Sequence, residues 1–508
     1  MAANSTTTTS SFVSLQDVPV TFIAAAGAVG LLSVFFYSTL FSSRKGGIVD
    51  VGGVSSILTA WPFFTKRYDF LKSNFQKTGE AIFKFKVLHH TVVAIRGEEG
   101  RKAFFDNKSL SFSEGYKILM GAAPRLSDIS MDHENIENVS WFNKQLTHLL
   151  NRRRLDEVLP TLLEDLDRQM SSWGTESTID PFRNVYDLVF LMTVRMATCD
   201  ELARDPAAIK HIQSLYWTLE KSATPTALLL PWLPVRANKN KEAATKELFG
   251  IFYSYIEKRR EAKVPRSDAI DVLLADGLDN TAIVGFILGV VFAGVINTGI
   301  NSCWALIFLC TNKEWRAKVQ AEVNALIANH TNTTSSEPLH KRLATIPVSV
   351  WEDEMPCMDT VIRETLRIVL NGTTLRRTVL EDLGIKDKTV GKGAFLAYQL
   401  SDVHLNPDIY RDPLVFDPDR FGPGREEDKK GHYAFLGWGA GRHPCTGMKV
   451  AKLEIKVILA LFIAGYDFDV VDSSGNFPTE FPKVNYNDIH QARPIGKPVF
   501  LKYKRVVE

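Results

Sequence analysis

Cysteine is scarce in this chain and badly placed for pairing. Cys199, Cys303, Cys310, Cys357 and Cys445 are odd in number, scattered, and show no metal-site spacing. That excludes a disulfide scaffold or a zinc module and points to reducing surroundings. A surplus of charge is missing too, since 60 Lys and Arg stand against 58 Asp and Glu. Such a balance gives no footing for a nucleic-acid partner. No basic residue precedes Arg44, and residues 18–43 carry no charge at all.

What is present begins with that uncharged stretch. Phe22 to Phe41 is almost wholly apolar, long enough to cross a hydrocarbon layer of roughly 30 Å as a helix. It is too long for the apolar part of a cleaved signal. Arg44 and Lys45 follow at once, so the positive-inside rule puts residues 1–17 on the lumenal side and the body in the cytosol. The expected organisation is a lumenal 1–17, a transmembrane anchor over 18–43, a linker over 44–60 marked by Gly46-Gly47 and Gly52-Gly53, and one large domain over 61–508. The chain of 508 residues can bury a large core, and its 31 Phe suit tight packing or an apolar cavity.

The richest chemistry lies in Trp438-Gly439-Ala440-Gly441-Arg442-His443-Pro444-Cys445-Thr446-Gly447, ahead of a helix-forming run from Met448 to Glu454. A helix N-terminus carries unpaired N–H groups and partial positive charge, which lowers the pKa of a thiol beside it. Gly441 and Gly447 lack a Cβ, so the backbone there could lie close under a flat macrocycle. Pro444 stiffens the approach. The combination suits thiolate ligation of haem iron. The structural alternative for Cys445 is a buried free thiol in a glycine loop.

The segment resembles the haem-binding loop of the cytochrome P450 family, Phe-x-x-Gly-x-Arg-x-Cys-x-Gly. Cys445, Gly441 and Gly447 match, Trp438 replaces Phe and His443 replaces Arg, as in sterol 14-alpha-demethylases. The family's Glu-x-x-Arg pattern is matched by Glu364 and Arg367, and its Pro-x-Arg-Phe element by Pro418-Asp419-Arg420-Phe421. The resemblance implies a mainly α fold with a smaller β portion, one haem b held by Cys445, and a buried network of Glu364, Arg367 and Arg420. It also implies that Trp141, His443 and one of the neighbouring pair Arg376 and Arg377, with Arg377 preferred, reach haem propionates. Gln145 stands where the family's arginine follows that Trp, so Lys144 or Arg152 would have to substitute.

Thr281 to Thr311 is apolar on nearly every face and must run through the middle of the protein. Within it, Ala293-Gly294-Val295-Ile296-Asn297-Thr298 resembles the family's oxygen-binding motif, with departures. Gly294 occupies the place that leaves room for dioxygen. Ile296 stands where an acid is usual, and Asn297 where an alcohol is usual. Isoleucine relays no protons; Asn297 can hold a water but does not titrate. Asparagine here is similar to steroid 7-alpha-hydroxylases and to prostacyclin synthase, which rearranges a peroxide.

Three functions stay open on the sequence. The first is a reductase-dependent monooxygenase of the endoplasmic reticulum membrane, acting on an apolar, steroid- or terpenoid-like molecule. NADPH-cytochrome P450 reductase would be its electron donor, with cytochrome b5 a further one the resemblance allows. Lys429, Lys430, Arg442, Lys449 and Lys452 would steer that donor. The second is an isomerase or dehydratase acting on a peroxide, and the third a haem-binding sensor. Smaller expectations are a hairpin over Ala81 to Ile95, a long loop over Leu110 to Glu137, helix starts or breaks at Pro160 and Pro181, and a hairpin through Thr389 to Leu396. Ala227 to Val235, apolar and flanked by Arg236, Lys239 and Lys241, is expected either at a membrane interface or simply buried.

Overall fold

One helix of 32 residues, Asn280–Thr311, is the axis of the molecule. Asp279 starts it by accepting from the Ala282 N–H, and its apolar faces leave it nowhere to lie but the interior. Helix Pro181–Ala197 packs along it. Two glycines permit that approach: a Cβ on Gly299 would sit 2.7 Å from the Tyr186 ring, and one on Gly294 would sit 3.1 Å from Thr193. The computed structural model describes residues 47–52, 56–119, 139–230, 232–262, 267–332 and 336–507. The expected anchor over 18–43 lies outside the described residues. Among those described, only Asn280–Thr311 is long and apolar enough to cross a membrane, and its burial makes it core.

Helices dominate, with a smaller β portion, as expected. The main sheet has six strands in the order β1-β2-β3-β9-β6-β4. These are β1 (Val49–Asp50), β2 (Ile82–Val87), β3 (His90–Ile95), β4 (Leu110–Ser111), β6 (Thr373–Thr378) and β9 (Phe395–Gln399). A second sheet joins β12 (Tyr466–Val471), β13 (Phe500–Arg505) and β5 (Glu176–Ile179). Two small ribbons remain, β7 (Leu383–Ile385) with β8 (Lys388–Val390), and β10 (Gly439–Ala440) with β11 (His443–Pro444).

The β2–β3 hairpin is where alternation and turn residues put it. Other expectations change. The later hairpin joins β7 to β8, while β9 pairs with β3 and β6 instead. A run of β-prone residues does not say which partner completes its ladder. Pro160 lies inside helix Arg152–Ser171 rather than at an end, whereas Pro181 is a first-turn residue. Val49–Asp50 falls within the stretch expected as linker, and helix Ser56–Thr65 begins in it and runs into the domain. The start of the expected long loop is strand β4 followed by helix Phe112–Leu119; 120–137 lies outside the described residues.

Glu364, Arg367 and Arg420 are fully buried and joined. Glu364 Oε1 accepts from Arg367 Nη2 at 2.7 Å and from Arg420 Nε at 2.9 Å. Glu427, a member the sequence did not reveal, accepts from Arg420 Nη1 at 2.6 Å. Two carboxylates and two guanidinium groups thus neutralise one another out of water. Arg367 Nη1 also donates to the carbonyls of His404 and Pro413. His404 in turn accepts the Leu436 N–H at 2.9 Å, so the network reaches the segment leading to Cys445.

Candidate active site

Cys445 opens onto a cavity of ≈ 900 Å³. The segment before it is shaped by backbone constraints. The Cys445 N–H donates to the Trp438 carbonyl at 2.7 Å, closing the loop between β10 and β11. Helix Met448–Gly465 begins just behind. Thr446 donates to Asn143 Oδ1 at 3.0 Å, tying the loop to helix Val139–Leu149. The loop contributes Trp438, His443, Pro444, Cys445, Thr446 and Gly447 to the wall, and the central helix contributes Ala293, Gly294, Asn297 and Thr298.

Several expected site residues take other places. Arg376, not Arg377, lines the cavity. Successive strand residues face opposite sides, and Arg377 points to Glu114, 3.1 Å away. Trp141 packs edge-on against Phe286 and is not in the wall, where Phe142 and Asn143 stand instead. Lys144 is not in the wall either, and Arg152 pairs with Glu352. Gly441 is absent from the wall too; it has φ +59°, and a Cβ there would lie 2.3 Å from the Phe105 carbonyl oxygen. Its bareness serves the packing of the loop against Phe105. Gly294 does reach the cavity, but the space a Cβ would take holds Thr193.

The thiol also departs from expectation. Burial pushes the Cys445 thiol up, against the pull of a hydrogen bond from the Gly447 backbone. Coordination to a metal deprotonates a thiol outright.

The walls can be tested for fit to a haem. Arg376 is buried, its guanidinium 5.0 Å from the Phe104 ring centre and 4.7 Å from that of Phe112. Its Nη1 donates to the Leu375 carbonyl, and it has no carboxylate partner among the described residues. Burial lowers its pKa, and a buried cation of this kind needs an anion. His443 lies beside it, held below the usual histidine range by burial and by the Arg376 and Arg442 charges. Three cationic or N–H-bearing side chains thus gather at one part of the wall, suited to carboxylates. At Gly447 a Cβ would meet no protein atom within 4 Å, leaving open space beside Cys445. No cluster of three or more His, Cys, Asp or Glu suited to a metal exists among the described residues. One sulfur, open space beside it and cations nearby fit a haem with its propionates.

Glu454 is a wall residue that sequence reasoning missed. Burial pushes its carboxyl up to about 8. Its place on the helix behind Cys445 could have been read from the helical spacing. Tyr116, Thr374, Tyr486 and Asp488 also line the cavity, but no motif marks them.

Fold and site together define a haem-thiolate oxidoreductase. The chain belongs to the cytochrome P450 family: the model of that family, "Cytochrome P450", matches residues 56–486. "Cytochrome P450 monooxygenase AacuE" of Aspergillus aculeatus is 30% identical, covering 88% of this chain and 91% of its own. "Obtusifoliol 14-alpha demethylase" of Sorghum bicolor is 25% identical over 97% of this chain and 98% of its own. The solved structure "Retinoic acid bound cyanobacterial CYP120A1" shares the fold, with TM-score 0.68 and 22% identity over 88% of this chain and 96% of that one. The protein is a cytochrome P450 monooxygenase by class, and its cofactor is haem b with an axial cysteine thiolate.

Proposed function

We propose that Cys445 is the axial ligand and that the enzyme inserts one atom of dioxygen into an apolar, steroid- or terpenoid-like molecule. The observation that supports this most is one cavity shared by Cys445 and by Asn297 and Thr298 of the central helix. Haem, when bound, supplies the oxygen activation, and a thiolate ligand favours O–O cleavage. The chain's own residues do the rest. Arg376 and His443 orient the propionates; Val290, Ala293 and Val369 give an apolar wall for substrate. Asn297, with donors and an acceptor, holds a water where Ile296 offers no proton, and Thr298 adds a hydroxyl. Electrons come from NADPH through a reductase.

A second reading, an isomerase acting on a peroxide, draws on the missing acid beside Asn297. Turnover decides between them. Product formed only with NADPH and reductase supports the monooxygenase; conversion of a hydroperoxide with neither supports the isomerase. A ferrous carbonyl complex without red-shifted absorption, or normal turnover by Cys445→Ser, overturns the ligand assignment.

The protein is further proposed to lie on the endoplasmic reticulum membrane through the anchor over 18–43, with the body in the cytosol. Two exposed tryptophans support a second contact. Trp61 is 44% and Trp232 is 76% exposed, and helices Ser56–Thr65 and Pro225–Leu229, which precede or carry them, touch. An exposed Trp near Lys66, Arg67, Arg236 and Lys239 suits the lipid interface. The proposed basic surface for the reductase is less bare than its sequence suggests. Lys429 pairs with Glu426, Lys449 lies 3.9 Å from Glu352, and Lys452 lies 2.9 Å from Asp359.

A further inference from the structure

The hydroxyl of Tyr186 sits between two carbonyls from distant parts of the chain. It is 3.0 Å from the His490 oxygen and 3.4 Å from the Ile296 oxygen. A phenol has one proton to donate, so it cannot satisfy both fully, and the shorter contact takes it. Burial holds this phenol well above its ordinary value, so it stays protonated. The ring itself is fixed by the bare flank of Gly299.

Each acceptor belongs to a functional part of the cavity. His490 is in a turn built on Asp488, whose carboxylate accepts from the N–H groups of His490 (3.2 Å), Gln491 (3.1 Å) and Arg493 (3.1 Å). That turn sets Tyr486, Asp488, Ile489 and Ala492 in the cavity wall. Outer ties hold it down: Gln491 Nε2 donates to the Phe182 carbonyl at 2.9 Å, Trp304 Nε1 donates to the Ala492 carbonyl at 2.9 Å, and His490 Nδ1 lies 3.0 Å from Glu220. Ile296 is the residue before Asn297. In an α-helix its carbonyl is the acceptor for the Ile300 N–H.

We infer that Tyr186 is a positioning residue whose single hydroxyl proton couples the seating of the Asn485–Ala492 turn to the helical turn that presents Asn297. With the turn seated, the proton goes to the His490 carbonyl. With the turn displaced, it swings to the second lone pair of the Ile296 carbonyl, tilts that carbonyl outward, and lengthens and loosens its bond with the Ile300 N–H beside Asn297. Filling of the cavity is thereby felt at the group proposed to hold the water. The inference rests on the role given to Asn297 above.

A double-mutant cycle on the full-length, haem-loaded protein tests it. Gln491→Ala unseats the turn, and Tyr186→Phe keeps the ring but removes the donor. Amide exchange at residues 297–301 is the measurement. With Tyr186 present, Gln491→Ala is expected to speed exchange there about fivefold, the factor one neutral hydrogen bond is worth. In the Tyr186→Phe background the same change is expected to leave residues 297–301 unaltered while exchange in 485–492 still rises. Equal acceleration in both backgrounds, or none in either, overturns the coupling. Should Gln491→Ala fail to fold, His490→Ala, which gives up the Glu220 pair but keeps the carbonyl, replaces it with the same outcomes. The ferrous carbonyl spectrum is taken on each protein; a wild type lacking the red shift counts against Cys445 as ligand, separately from the exchange result.

Discussion

Arg376 and Arg377 are neighbours on β6, yet the first lines the cavity and the second pairs with Glu114 on the other side. The two should therefore part company under mutation. Arg376→Ala is expected to speed haem loss by about tenfold or more, since a hydrogen bond to a charged group is worth ~1.5–3 kcal/mol. Arg377→Ala gives up a partly exposed pair and should change haem retention little. Haem content by pyridine haemochrome assay after gel filtration separates them, and equal loss from both variants would contradict the assignment.

The buried network makes a stability prediction. Arg420→Ala strands Glu364 and Glu427 without one of their cations. The expected loss is ~3–5 kcal/mol, seen as a lowered denaturant midpoint. Exposed Arg153→Ala, whose pair with Glu157 is on the surface, is the matched control and should lose under about 0.5 kcal/mol.

Asn297→Ala should uncouple reductant use from product formation. Product per NADPH is expected to fall several-fold while NADPH oxidation and peroxide release persist. Unchanged coupling would remove Asn297 from proton control. Thr298→Ala, assayed in parallel, shows whether the adjoining hydroxyl shares the task.

His404 carries a pH dependence. Burial, then the Arg367 charge, holds its pKa at about 3, below the ordinary histidine value of 6.5. The folded form keeps the imidazole neutral so that Nε2 can accept the Leu436 N–H. The unfolded chain binds the proton more readily between those two values, so stability contributed by this site is present above about pH 6.5 and is lost as pH falls toward 3. His404→Asn should flatten that acid limb. Thermal midpoints at pH 7 and pH 4.5 for both proteins test it: an acid-induced drop equal in the two would exclude His404 as its source.

The exposed tryptophans predict lipid binding without the anchor. Protein lacking residues 1–46 should still associate with phosphatidylcholine–phosphatidylserine vesicles in flotation assays. Trp61→Ser with Trp232→Ser should weaken that by about tenfold or more, burial of one large apolar side chain being worth ~1.5–3 kcal/mol. Binding that survives both changes would place the contact elsewhere.

Sequence reasoning reached some residues and missed others for definite reasons. Cys445 was legible as a thiol ahead of a helix, and Glu364 with Arg367 and Arg420 through the resemblance of their two motifs to those of the family. The central helix was legible because 32 residues without a polar face have only one place to go. Glu427 and Tyr186 were not, since a lone acid and a lone tyrosine have no local signature. The contact that requires Gly441 to be bare was not legible, because Phe105 lies over 300 residues earlier in the chain.

By itself, then, the sequence determined the thiol, its loop, the apolar helix opposite and the loss of the usual acid at Ile296, all properties of residue type and near spacing. Tertiary structure alone decided which arginine turns inward, what fills the space beside Gly294, and that the Tyr186 hydroxyl meets two carbonyls. Those outcomes depend on strand register and helix approach, which join segments hundreds of residues apart and leave no trace in any short stretch of chain.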